Sequence, residues 1–244
     1  MLEVRNVYAG YAGKSVIKDI TFSLRKGDFL AILGPNGSGK STIIKVISGI
    51  LRPLKGSVIF DGLDILSLSS YERARIVATL PQTVRFDFPF SVEEVIAMGR
   101  YPYKGKGQEI VEELIQRLHL QELKNRKITS LSGGEFKRVV IAKVLAQTPK
   151  ILLLDEPLNH LDLKHQAILI ELLKEITANG VIVISVFHEI NIALRMASFV
   201  MLLKDGSTLF FGSPDEVAKG SFLETAFQAK LSRCSQCGSF LPFL

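Results

Sequence analysis

The sequence predicts an α/β fold, with a parallel-stranded core around a phosphate-binding loop, a small antiparallel β layer at the N-terminal end and a helical segment in mid-chain. Three observations lead there. Gly34-Pro35-Asn36-Gly37-Ser38-Gly39-Lys40-Ser41-Thr42 fits G-x-x-x-x-G-K-[ST], and it stands between the apolar run Phe29 to Leu33 and an apolar-periodic segment with Ile43, Ile44 and Ile47. The runs Ile151 to Leu154 and Val181 to Ser185 read as buried parallel strands. Between them Ile168, Leu169, Leu172, Leu173 and Ile176 mark a helix, so strand, helix and strand alternate as an α/β core requires.

Taken in order, residues 1 to 28 read as short alternating strands with turns at Gly10-Tyr11-Ala12-Gly13 and Lys26-Gly27-Asp28, and Gly56 to Phe60 continues in that style. In the loop, Gly34, Gly37 and Gly39 can adopt backbone angles closed to other residues, so successive N–H groups can converge on phosphate oxygens. Lys40 then supplies a point charge for the phosphates, the Ser41 hydroxyl can ligate Mg²⁺, and the helix N-terminus adds about half a positive charge. The character changes at Ser91-Val92-Glu93-Glu94, a capping box opening a helix, and Ile110, Val111, Leu114, Ile115 and Leu118 form another apolar stripe. These place a helical subdomain at about 84 to 147 within one domain of residues 1 to 244.

Composition narrows the class of protein. A chain of 244 residues with 47% apolar content can bury a sizeable core and reads as a soluble globular protein. Glu3 and Arg5 stand where a secretion signal would need a charged-then-apolar pattern, and no apolar run reaches the roughly 18 residues of a membrane span. The net charge of +6 permits a nucleic acid, an anionic lipid surface or a polyphosphate as partner. Without a like-charge block or basic-aromatic alternation, nucleic acid is not expected. The two cysteines, Cys234 and Cys237, form a single C-x-x-C, read as a reduced thiol pair, as half of a metal or redox site, or as an incidental tail.

Two further stretches carry chemistry. Ile151-Leu152-Leu153-Leu154-Asp155-Glu156 is a strand ending in adjacent carboxylates that should point differently. Asp155 suits the Mg²⁺ shell and Glu156 suits a general base or water-orienting group, although the pair could merely cap the turn before Pro157. Leu131-Ser132-Gly133-Gly134-Glu135 precedes a helix with Val139, Val140, Ala142, Lys143 and Leu145. Ser132 is a candidate N-cap, and the paired glycines would admit a phosphate of another molecule to the exposed N–H groups.

With these motifs the chain resembles the ATP-binding subunits of ABC transporters over nearly its whole length. Gly34 to Thr42 resembles that family's phosphate loop, Gln82 its loop glutamine, Leu131 to Glu135 its signature, and Ile151 to Glu156 its magnesium-and-base strand. Asn159-His160-Leu161-Asp162 resembles the aspartate loop that follows, and His188 the switch histidine. The resemblance implies a P-loop NTPase (RecA-like) core with an N-terminal antiparallel β-subdomain and a helical signature subdomain. It also implies ATP and Mg²⁺ as cofactors, Ser41, Gln82 and Asp155 near the metal, and Glu156, His188 and Gln82 as the catalytic group. Two copies would pair head to tail, so that Ser132, Gly133 and Gly134 of one close over nucleotide held by the other and Asp162 spans the interface; a lone copy would bind ATP but hydrolyse it poorly. Taken singly, His188 could be a core histidine, Gln82 an ordinary loop residue and Asp162 a helix cap. Tyr11 stands where an aromatic stacks on adenine in the family, with Tyr8 as its rival.

Around these motifs, Leu80-Pro81-Gln82, Ser91 to Val95, Met98-Gly99-Arg100-Tyr101-Pro102, Leu161 to Gln166 and His188 to Ala193 resemble subunits serving importers of iron–siderophore complexes, haem and cobalamin. That implies a prokaryotic protein at the cytoplasmic face of the membrane, held there by integral-membrane permease subunits and served indirectly by an extracytoplasmic binding protein. The chain departs from the pattern at Glu135, where Gln is usual, at Leu158, where Thr is usual, in the short Lys104 to Gln108 loop, and in the tail from Leu231 to Leu244. The alternative is a soluble non-transport ABC ATPase, such as one of iron–sulfur assembly. A DNA-organising ATPase with the same head is a remote reading, since only about 90 residues, without sustained heptads, lie between phosphate loop and signature.

Overall fold

The computed structural model describes residues 1–234 and 238–242. In chain order come β1 (Leu2–Tyr11), β2 (Lys14–Leu24), β3 (Phe29–Leu33), α1 (Lys40–Ile47), β4 (Lys55–Phe60), β5 (Leu63–Asp64), α2 (Ser70–Ala74) and β6 (Val77–Leu80). There follow α3 (Val92–Ala97), α4 (Gln108–Arg117), α5 (Gly133–Ala146), β7 (Ile151–Asp155), α6 (Leu163–Ala178), β8 (Ile182–Val186) and α7 (Ile190–Met196). The chain continues with β9 (Phe199–Lys204), β10 (Ser207–Gly212), α8 (Pro214–Lys219), α9 (Phe222–Phe227), β11 (Leu231–Arg233) and β12 (Phe240–Pro242). It divides into two compact units, Met1–Ser67 with Ile182–Leu244, and Leu68–Val181.

In the first unit an antiparallel sheet runs in the order β2-β1-β4-β5. Its first hairpin turns more tightly than the sequence predicts, because Gly10 and Tyr11 stay in the strand and Tyr11 pairs with Lys14. Only Ala12 and Gly13 make the turn, both with positive φ (49° and 77°), the backbone that matches the right-handed twist of the flanking strands. Beside this sheet β3 lies parallel to both β8 and β9, while β10 returns antiparallel to β9. Every residue of β3 and β8 is buried, so both read in sequence as unbroken apolar runs rather than as alternation. Burying both faces of β3 fixes where it ends, and the glycine loop begins there.

In the second unit β6 and β7 are a parallel pair, and all five residues of β7 are buried. Between residues 84 and 147 the described elements are helical. Ser91 caps α3 through the predicted capping box, accepting from the Glu94 backbone N–H while the Glu94 carboxylate accepts from that of Ser91. On α4 the apolar stripe turns Val111, Leu114 and Ile115 inward, and α6 buries Leu169, Leu172 and Leu173. No described helix is long and apolar enough to cross a membrane.

Candidate functional site

The glycine loop, Gly34 to Thr42, lies in the first unit. Gly34, Gly37 and Gly39 hold φ of 147°, 79° and 102°. A Cβ on Gly34 would come within 2.3 Å of the Leu203 carbonyl oxygen, and one on Gly39 within 2.5 Å of Ile17, so both positions exclude a side chain on space as well as angle. Lys40 is buried, and its ammonium donates to the carbonyls of Gly34 (2.8 Å) and Pro35 (2.9 Å). Ser38 is 3% exposed, and its Oγ has no hydrogen-bond partner among the described residues. The N-terminus of α1 has no side-chain cap and no acidic residue in its first turn. The buried orphan hydroxyl and the uncapped helix end, with a lysine at the head of that helix, fit a phosphate chain, because both leave donors that an anion would satisfy.

Pro35, Asn36, Ser41 and Thr42 complete the loop, with Thr42 buried and Ser41 half-buried at the head of α1. Tyr11 is 46% exposed and takes the Lys45 ammonium at its hydroxyl (3.2 Å). Tyr8 is half-buried with the Lys55 ammonium 5.9 Å from its ring centre. His188 is exposed just after β8, so it is not a core histidine.

The second unit holds the carboxylates. Asp155 ends β7 with its side chain buried, and Glu156 follows half-buried, so the two acids do face different surroundings. Glu156 has φ of 54°, an uncommon conformation for a residue with a long side chain. Its Oε2 accepts from Asn159 Nδ2 (2.6 Å) and from Gln82 Nε2 (3.1 Å), and its carbonyl accepts from the Lys137 ammonium (3.2 Å). Gln82 is thus brought onto Glu156, which its position in an exposed loop could not reveal. Residue spacing alone does not name Asn159 or Lys137 as partners of Glu156. A carboxamide three residues after Glu156, in a turn, is a signal that could have found the first. Nothing in the helical pattern singles out the second. Gln82 and Lys137 also line a cavity of about 340 Å³ with Gly133, Phe136 and His160.

Ser132 caps α5 as predicted, and Glu135 closes a capping box on it: the Ser132 backbone N–H donates to Oε2 of Glu135 (2.8 Å). The cap hydrogen bonds, first the backbone one, hold the Glu135 carboxyl below its ordinary value. S-x-x-E was legible at 132 to 135 and explains a glutamate there without appeal to a ligand. The paired glycines differ. A Cβ on Gly133 would meet nothing within 4 Å, whereas one on Gly134 would lie 3.3 Å from the His160 carbonyl oxygen. Gly133 alone is therefore open, and Gly134 has a packing reason inside its own chain. Asp162 caps α6, accepting from the His165 backbone N–H (2.9 Å), and that bond leads the causes that lower its pKa. Leu158 is buried, which accounts for an apolar residue there.

Ser41 in the first unit, and Asp155 and Gln82 in the second, each carry an oxygen of the kind a hard cation such as Mg²⁺ prefers. Among the described residues no group of three or more His, Cys, Asp and Glu could hold a metal on its own. Cys234 follows β11, its N–H donating to the Ser239 carbonyl (2.9 Å), while Cys237 lies outside the described residues, as does any reading of the thiol pair.

The ABC transporter family profile matches residues 17–159. An uncharacterised ABC transporter ATP-binding protein of Bacillus subtilis is 39% identical over 215 residues, which are 84% of this chain and 49% of that protein. A hemin import ATP-binding protein of Chelativorans is 35% identical over 253 aligned positions, covering all of this chain and 97% of the relative. A dimeric ATP-binding cassette solved in a post-hydrolysis state with ADP and Pi superposes with a TM-score of 0.80 at 28% identity, over 88% of this chain and 99% of that one. The cradle, the clamped carboxylate and the capped glycine helix thus sit on a shared framework: the chain belongs to the ABC transporter family, as one of its ATP-binding subunits and an ATPase.

Proposed function

We propose that this chain hydrolyses ATP on its glycine loop to drive a membrane permease that imports haem, an iron–siderophore complex or cobalamin. The observation that carries the nucleotide part is the buried Lys40 ammonium beside the orphan Ser38 hydroxyl at the uncapped head of α1. The import part is supported by the hemin import relative, matched along nearly its whole length, and by the Met98 to Pro102 stretch. The Cys234 and Cys237 pair would suit the iron–sulfur assembly alternative, but the relatives named as import ATP-binding proteins do not favour it.

In this reading the loop N–H groups and Lys40 neutralise the phosphates, Tyr11 stacks on the base, and Glu156 orients the attacking water. Gln82 and Asn159 keep the Glu156 carboxylate from rotating away, and His188 contacts the γ-phosphate. Mg²⁺, which the oxygens of Ser41, Asp155 and Gln82 would hold, would supply charge neutralisation during phosphoryl transfer. Two copies pair head to tail, Ser132, Gly133 and Gly134 of each offering the N-terminus of α5 to nucleotide on its twin, with Asp162 at the interface. The pair docks on permease subunits at the cytoplasmic face of a prokaryotic membrane, and a binding protein outside delivers cargo.

The test is reconstitution with the permease in vesicles, measuring ATP-dependent uptake of each cargo. Glu156→Gln should bind ATP, accumulate as the closed pair and release phosphate only at a small residual rate. ATP consumption without uptake of any of the three would remove the cargo assignment, and normal phosphate release by Glu156→Gln would remove the base.

A further inference from the structure

Glu156 stands immediately before Pro157, where the proline ring ordinarily drives the preceding residue into an extended conformation. Here its φ is 54°, in the left-handed region that a residue with a β-carbon rarely visits. Such a backbone persists only where neighbouring groups hold it from several sides. On the carboxylate those groups are Gln82 and Asn159; on the main chain, the carbonyl accepts from the Lys137 ammonium at 3.2 Å.

Lys137 is an odd residue to spend on this. It is half-buried on α5, and burial works against its ammonium while the carboxylates of Glu156 and Asp155 work for it. A lysine with no inward task would run its stem to the surface and leave the charge in water. This one turns inward, and it does so from the helix whose first residues are Gly133 and Gly134 and whose cap is Ser132.

We propose that Lys137 is a positioning residue for ATP hydrolysis, holding the main chain of Glu156 in its left-handed turn and thereby joining the poise of that carboxylate to the seating of the Ser132 helix. It touches no reacting atom itself. A helix drawn onto a phosphate at its N-terminus carries Lys137 with it, and a displaced Lys137 releases the Glu156 turn. The proposal rests on Glu156 being the group that orients water.

Lys137→Met in the full chain tests it. Turnover should fall roughly 10- to 100-fold, the cost typical of a small misplacement of a reacting group. The KM for ATP and the melting temperature should stay near the parent's, and Lys137→Arg should recover most of the loss. In the double variant with Glu156→Gln, residual turnover should equal that of Glu156→Gln alone, since groups acting as a unit are not additive. Parental turnover in Lys137→Met, a rise in KM that accounts for the whole loss, or a further tenfold drop in the double variant would each overturn it. Should Lys137→Met fail to fold, Lys137→Gln carries the same readouts. Glu156→Gln measured alongside separates the outcomes: if it is inactive and Lys137→Met is normal, only the Lys137 proposal fails; if it is active, the base reading fails first.

Discussion

Lys40 shows how one side chain can be held ready for an anion. Its stem is buried, and its ammonium donates to two carbonyls of the loop it follows, which keeps the charge at the glycine loop. A charge-assisted hydrogen bond is worth about 1.5 to 3 kcal/mol. Lys40→Ala should therefore weaken ATP binding by roughly 10- to 100-fold in calorimetry, on the same scale. Parental affinity in that variant would place the nucleotide elsewhere. Asn159→Ala makes a contrasting case, because it removes a donor to the Glu156 carboxylate and leaves the phosphate cradle intact. Its turnover should fall while its ATP affinity holds, and a loss of affinity of equal size would show that Asn159 serves binding instead.

Among the elements, the helix starts are the most regular feature. Ser69, Ser91, Ser132 and Ser213 each close a capping box with a glutamate three residues on. The carboxyls of Glu72, Glu94, Glu135 and Glu216 are all held below their ordinary value, chiefly by hydrogen bonds from the capping serine. A depressed folded-state pKa contributes stability that is present above the ordinary value of 4.5 and is lost as pH falls through the folded value. The urea midpoint should thus fall between pH 5 and 3. A midpoint unchanged at pH 3 would mean that the boxes contribute nothing. The Met98 to Pro102 stretch also gains a physical reason. A Cβ on Gly99 would lie 2.1 Å from the Lys143 carbonyl oxygen on α5, and Arg100 is buried, donating to the carbonyls of Lys106 (2.8 Å) and Ala146 (2.6 Å). Gly99→Ala forces two backbones apart and should cost about 1 to 3 kcal/mol, as overpacking does. Thermal unfolding would show it, and an unchanged midpoint would mean that the segment yields freely.

For the molecule as a whole, the consequence is concentration. If each copy offers its glycine helix to nucleotide on a twin, turnover per chain should rise with protein concentration and level off once pairs predominate. Glu156→Gln with ATP and magnesium should elute at twice the parent's mass on size exclusion. Turnover per chain that is flat across a hundredfold dilution would make a single copy sufficient.

The order of strands and helices was legible from residue types alone, because buried parallel strands must be continuous apolar runs and helices must repeat on one face. The glycine loop was legible for the same kind of reason: backbone angles and close approaches restrict residue identity within nine consecutive positions, Gly34 to Thr42. Ser132 and Asp162 as caps were local too, each bonding an N–H three residues away. What local pattern could not reach was who holds Glu156. Asn159, three residues on, is a local partner, but Gln82 and Lys137 come from distant segments, and their hydrogen-bonding groups reach Glu156 only when the chain has folded. The same holds for Gly134, whose need for a bare α-carbon comes from the His160 carbonyl across a turn of the fold rather than from any neighbour in sequence. Short-range sterics write themselves into a sequence, whereas a contact between distant segments leaves one ordinary residue at each end and takes its meaning from packing.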